Sequence, residues 1–136
     1  RQHSLCAQCV LSWHDPFTGG EGMTKRETAA PFLTLEIMYS VAEQLVPVVR
    51  DIKRFDRNLA DQLQRAATSV ALNLAEGSGV RDGNRRRHFS IATGSLHEVR
   101  AALRMARIWN YTPCTLRVEG ELDRVAAMLY RLLHPK

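Results

Sequence analysis

Long uninterrupted apolar runs are missing from this chain of 136 residues. None reaches the roughly eighteen residues that a spanning helix needs, so the sequence is read as a protein without a membrane partner. Cysteine is scarce: two of the three, Cys6 and Cys9, stand near the start, and Cys114 is left alone. That excludes a disulfide framework and points to a cytoplasmic protein. No segment alternates as a strand would, and no internal repeat occurs. With 45% hydrophobic and 24% charged residues, what remains is an ordinary globular composition able to build one modest core.

Residues 1–22 lack helical periodicity and hold Trp13, Pro16 and three of the eight glycines. They read as a disordered leader outside the native protein. Gly19-Gly20-Glu21-Gly22 requires purine-rich codons immediately before Met23, which is the expected start of a 23–136 domain. A different reading of the leader is a zinc knuckle, since His3, Cys6, Cys9 and His14 give a Cys-x2-Cys flanked by histidines. The second, distant ligand pair of ordinary zinc modules is missing.

From Phe32 onward, apolar residues recur at alternating spacings of three and four, which predicts four amphipathic helices. The first carries Leu35, Met38, Ala42, Leu45, Val49 and Ile52, with Thr34 as its cap and a kink at Pro47. The second carries Leu59, Leu63, Ala66, Val70 and Asn73; Asp56 or Asn58 caps it and Gly77-Ser78-Gly79 stops it. After a short loop through Gly83, the third begins near Asp82 or Asn84, carries Phe89, Ala92, Leu96, Val99, Leu103 and Ala106, and ends by Tyr111. The fourth carries Val118, Leu122, Val125, Leu129 and Leu132 behind a cap at Thr115. Short connections make neighbouring helices antiparallel, so the expected fold is an all-α, up-down-up-down four-helix bundle.

The third helix is small or apolar on a second side as well. Gly94, Ala101, Met105 and Ile108 fall in one sector opposite its seam. A helix with two such faces is sandwiched, so this sector is expected to pack on another subunit; the alternative is cover from the segment near Trp109 and Tyr111. Gly94 costs about 1 kcal/mol in a helix interior, which close helix approach would offset.

Between the two sides, Arg100, Arg104 and Arg107 follow His97 in one stripe, with Arg86 further upstream. Arg81, Arg85 and Arg87 add to it. Residues 81–107 hold seven arginines against Asp82 and Glu98, and so carry the whole formal charge of +5. Guanidinium forks at this density fit phosphates, and a solvated face, with Asp61 or Arg65 of helix two nearby, is the plain alternative. No base-reading motif accompanies them, so the binding expected is to RNA or DNA backbone with little sequence preference.

Catalytic signatures are lacking. His88 and His97 are too far apart to form a ligand pair, no Glu-x-x-His occurs, and Gly77-Ser78-Gly79 has no downstream P-loop lysine. The protein is therefore expected to be non-enzymatic, with no metal or cofactor. Asn73 interrupts the apolar seam and reads as a hydrogen-bonding residue that fixes register, with Ser95 and Glu98 able to answer it and Glu76 across the turn.

Asn73-Leu74-Ala75-Glu76-Gly77, followed by Phe89, Ala92, Gly94, Ser95 and Glu98 in their spacing, resembles the paired signature of the four-helix-bundle proteins also called 23S rRNA intervening-sequence proteins. The resemblance covers about Phe32 to Tyr130. It implies a bacterial up-down bundle that assembles as a ring-like homopentamer, and Asn73, Glu76, Gly77, Ser95 and Glu98 are its motif residues. It also implies kinship with the accessory variability determinant of diversity-generating retroelements, a basic ring that binds a reverse transcriptase and nucleic acid. Two functions are thus carried forward: nucleic-acid binding through Arg81, Arg85, Arg86, Arg87, Arg100, Arg104 and Arg107, or an adaptor that docks a protein such as a reverse transcriptase.

Overall fold

A computed structural model describes residues 25–112 and 115–135. The leader, Met23, the His3, Cys6, Cys9 and His14 set, and Cys114 lie outside the described residues. Four helices account for nearly all of the rest: α1 (Lys25–Lys53), α2 (Arg57–Gly79), α3 (Asp82–Ile108) and α4 (Leu116–Leu133). There is no strand among the described residues.

Helix α1 starts well before the expected cap. Thr34 lies inside it, fully buried, and its hydroxyl donates to the Ala30 carbonyl at 2.8 Å. Both Pro31 and Pro47 are internal, and the chain stays helical across Pro47 to Lys53. The seam keeps Leu35, Met38, Leu45 and Ile52 as expected and departs by one position at two places. Met38, Val41, Leu45, Val48 and Ile52 are buried, whereas Ala42 and Val49 are half-exposed. Both sets obey the same three-four spacing, so periodicity alone cannot choose between them; contact with α2 and α4 together does.

Although no uninterrupted apolar run exists, the Ala29–Lys53 stretch of α1 has a mean hydropathy of 1.4 and is long and apolar enough to cross a membrane by those criteria. One face of that apolarity is committed to the core, through Leu35, Met38, Val41, Leu45, Val48 and Ile52.

Asp56 begins α2 from extended backbone, its carboxylate accepting from the Leu59 N–H at 2.9 Å, while Asn58 sits within the helix. The glycine-rich stop falls inside the last turn, and the link to α3 is only Val80 and Arg81. Gly83 belongs to α3, whose first residue, Asp82, takes φ 59, a left-handed value uncommon for residues other than glycine. Thr115 precedes α4, but its hydroxyl donates to the Glu119 carboxylate at 2.6 Å instead of capping a backbone N–H.

Each helix packs on two others, most extensively α2 on α3, then α1 on α2 and on α4, with α3 on α4 the sparsest. The expected seam of α3 is buried along its whole length, from Phe89 to Ala106. At the tight end of the α2–α3 pair, a Cβ on Gly77 would lie 2.5 Å from Cε1 of Phe89. That ring is only 1% exposed, so a shift to admit the Cβ would disturb its packing in the core. A Cβ on Gly94 would meet nothing within 4 Å, so the close approach expected there does not occur within the chain.

These two glycines should answer oppositely to alanine. Gly77→Ala should lower unfolding stability by about 1–3 kcal/mol through overpacking, and Gly94→Ala should raise it by up to about 1 kcal/mol through helix propensity. Urea unfolding of both variants checks this, and an unharmed Gly77→Ala protein would disprove the contact.

Candidate nucleic-acid interface

The commitment of the α3 seam to the core places its arginines. Phe89, Leu96, Val99 and Leu103 face inward, so Arg86, Arg87, Arg104 and Arg107 are left exposed and Arg85 and Arg100 half-exposed. Helical rise separates Arg86 from Arg107 by roughly 30 Å. The seven expected residues therefore form two groups instead of one compact site.

The first group lies at the start of α3. Arg81 precedes the helix in extended backbone, and the Arg85 guanidinium sits over the Phe89 ring, 5.6 Å from its centroid. Arg86 and Arg87 follow on the surface. Cations at a helix start oppose the macrodipole by a few tenths of a kcal/mol each, and Asp82 in the same turn offsets part of that.

The second group is tied to α4. Arg100 pairs with Asp123. Nη1 of Arg107 donates to both carboxylate oxygens of Glu119, at 2.7 and 2.9 Å. Arg104 stands exposed between the two pairs. The ion-pair partners of the stripe thus belong to helix four, and not to helix two, whose Asp61 or Arg65 the solvated-face alternative placed nearby. The Thr115 hydroxyl, with help from Arg107 and the more distant charge of Arg104, holds the Glu119 carboxyl below its ordinary value, against an opposing effect of burial.

The motif residues build a polar cluster between α2 and α3. Nδ2 of Asn73 donates to the Ser69 carbonyl at 2.9 Å, and Ser69 and Ser95 hydroxyls meet at 2.8 Å. His88 Nδ1 lies 3.2 Å from Oδ1 of Asn73 and 3.1 Å from Oε2 of Glu76. Two acceptors on one ring nitrogen require that nitrogen to carry the proton. Asn73 does bridge the two helices, with Ser95 reached through Ser69, while Glu98 is exposed. Sequence reading missed Ser69 and His88 as members. Their signal was positional: Ser69 lies one turn before Asn73, and His88 directly precedes the seam residue Phe89.

Gly94, Ala101, Met105 and Ile108 are all exposed, Ile108 at 60%. A second apolar surface, not anticipated, is a groove of about 550 Å³ between α1 and α2 lined by Tyr39, Ala42, Val46, Val49, Ala71 and Leu72. No group of three or more histidine, cysteine or acidic residues suited to a metal ion occurs among the described residues.

These features define an all-α, four-helix protein with a basic third helix and a polar α2–α3 junction. The chain belongs to the 23S rRNA-intervening sequence protein family, whose model matches residues 35–131. No curated protein and no solved structure matches it significantly.

A lowered carboxyl pKa in the folded state stabilises above the unfolded value, and the benefit is lost as pH falls through the folded one. Glu119→Gln should therefore be less stable than the parent at pH 7. The gap should close as acidification passes below the ordinary value of 4.5. Thermal unfolding of both proteins across that range measures it; a pH-independent gap would mean the ionised carboxylate is not what stabilises.

Proposed function

We propose that the protein is a non-enzymatic, cytoplasmic nucleic-acid-binding bundle with up-down-up-down topology, assembled as a homo-oligomeric ring. The observation that carries the reading is the arginine cluster at the start of α3, on a chain whose family is named for rRNA intervening sequences. Arg86 and Arg87, exposed at the start of α3, are the principal phosphate contacts, with Arg81 and Arg85 beside them. Arg104 extends the track, and Arg100 and Arg107 contribute less, because Asp123 and Glu119 already neutralise them.

Assembly supplies reach. Closed rings of heterologous contacts need two different surfaces on each subunit. The chain exposes two candidates: the α3 sector with Met105 and Ile108, and the groove between α1 and α2. Packing one into the other repeats the arginine cluster around the ring and multiplies its attraction for a polyanion.

Fluorescence anisotropy with structured RNA and duplex DNA at several salt concentrations tests the binding. Each phosphate contact removed should flatten the log-log salt slope by about one. Arg86→Gln with Arg87→Gln should therefore flatten it by about two, and Arg100→Gln with Arg107→Gln by less. Absence of binding at low salt would discard the reading. Sedimentation of the parent and of Met105→Glu tests the ring: the parent should sediment as an oligomer that the variant loses, and a monomeric parent would refute assembly.

A further inference from the structure

A cavity of about 550 Å³ opens at one end of the bundle, where the start of α3 meets the last turn of α4 and the early part of α1. Volumes of this order suit small organic ligands. Its wall is formed by Ala30, Met128, Leu132, Leu133 and Pro135 together with Phe89. Thr34 also lines it, but its hydroxyl proton is committed to the Ala30 carbonyl at 2.8 Å, which leaves the oxygen as an acceptor only. The interior thus offers an apolar body surface to bury against and little to hydrogen-bond with.

Charge lies at the rim. Arg85 and Arg86 from α3 and Arg131 from α4 line the cavity together with a single carboxylate, Asp82, so the rim is net positive. Arg131 comes from a separate helix and sits in the last turn of α4, so the positive rim is more than a property of the α3 terminus. A nucleobase fits this lining poorly, because its polar edges would be buried without partners. A hydrocarbon chain with one anionic head fits both parts: the chain fills the wall, and the head meets guanidinium donors.

We propose that this cavity binds an organic anion with a hydrocarbon body and a single carboxylate or phosphate head, the head held by Arg86 and Arg131. The site shares Arg86 with the nucleic-acid reading, whereas Arg131 and Met128 belong to this cavity alone and so report on it separately.

Isothermal titration calorimetry of the full chain with decanoate, decyl phosphate, 1-decanol and inorganic phosphate, each below any micelle threshold, tests it. Decanoate or decyl phosphate should bind saturably at one per chain, and whichever binds more tightly identifies the head. Decanol and inorganic phosphate should each bind about tenfold or more weakly, lacking head or body. Arg131→Gln, at an exposed position, should weaken the anion by about tenfold, and Met128→Glu should abolish binding while circular dichroism verifies the fold. No saturable anion binding, equal binding of decanol, or an Arg131→Gln protein that binds like the parent would each overturn the proposal. Unchanged RNA affinity in Arg131→Gln separates this outcome from failure of the nucleic-acid reading.

Discussion

The approach of Gly77 to the Phe89 ring decides how α3 leaves α2, and most of the surface chemistry follows from it. A side chain at that position would overlap the ring, 2.5 Å from Cε1. Without one, two residues suffice to link the helices, and α2 and α3 are the most extensively packed pair. The turn requires Asp82 at φ 59, a conformation that costs an ordinary residue about 1–2 kcal/mol. Burial of Phe89 and the polar bridge beside it offset that strain. Once the register is set, His88 reaches Asn73 and Glu76, Ser95 reaches Ser69, and Arg85 lies over Phe89.

The same register sorts the arginines by function. Those late in α3 face the acidic side of α4 and form exposed ion pairs, which individually contribute little to stability. Their main consequence is local neutralisation. Among the early arginines, Arg86 and Arg87 stand exposed on the surface, with Asp82 in the same first turn. A continuous stripe on a helical wheel therefore becomes, in three dimensions, two groups, of which the later is paired with α4.

The seam of α3, most of that of α4, the Asp56 cap and the helix count were legible because each rests on local spacing or local hydrogen bonding. In α2 the middle of the seam held, but Ala60 and Leu74 are buried where Leu59 and Asn73 were expected. Helix α1 was legible at Leu35, Met38, Leu45 and Ile52 but not at two intervening positions, since Val41 and Val48 satisfy the same period as Ala42 and Val49. Its start was misplaced because Thr34 bonds back to Ala30, the in-helix use of a hydroxyl, and not forward as a cap. The arginines of the candidate site were readable as residues. Their ion-pair partners were not, because which helix lies beside the stripe is a tertiary fact. Asp123 and Glu119 are ordinary surface acids in sequence, and the cavity at the bundle end is built from three helices that no single periodicity relates.

Charge at the start of α3 runs against local preference, and packing does not explain its density. Stacking on Phe89 accounts for Arg85, but Arg86 and Arg87 add repulsion to each other and to the helix dipole with no matching contact in the core. An anion placed there relieves both terms at once. Under the two proposals made above, the backbone of a nucleic acid and the head of a small organic anion draw on the same arginines at Arg85 and Arg86. Occupancy of the cavity then lowers the field available to a polyanion, and by linkage the polyanion weakens the small ligand to the same degree. The physical source of both affinities is one: a helix start loaded with more positive charge than its own fold can use.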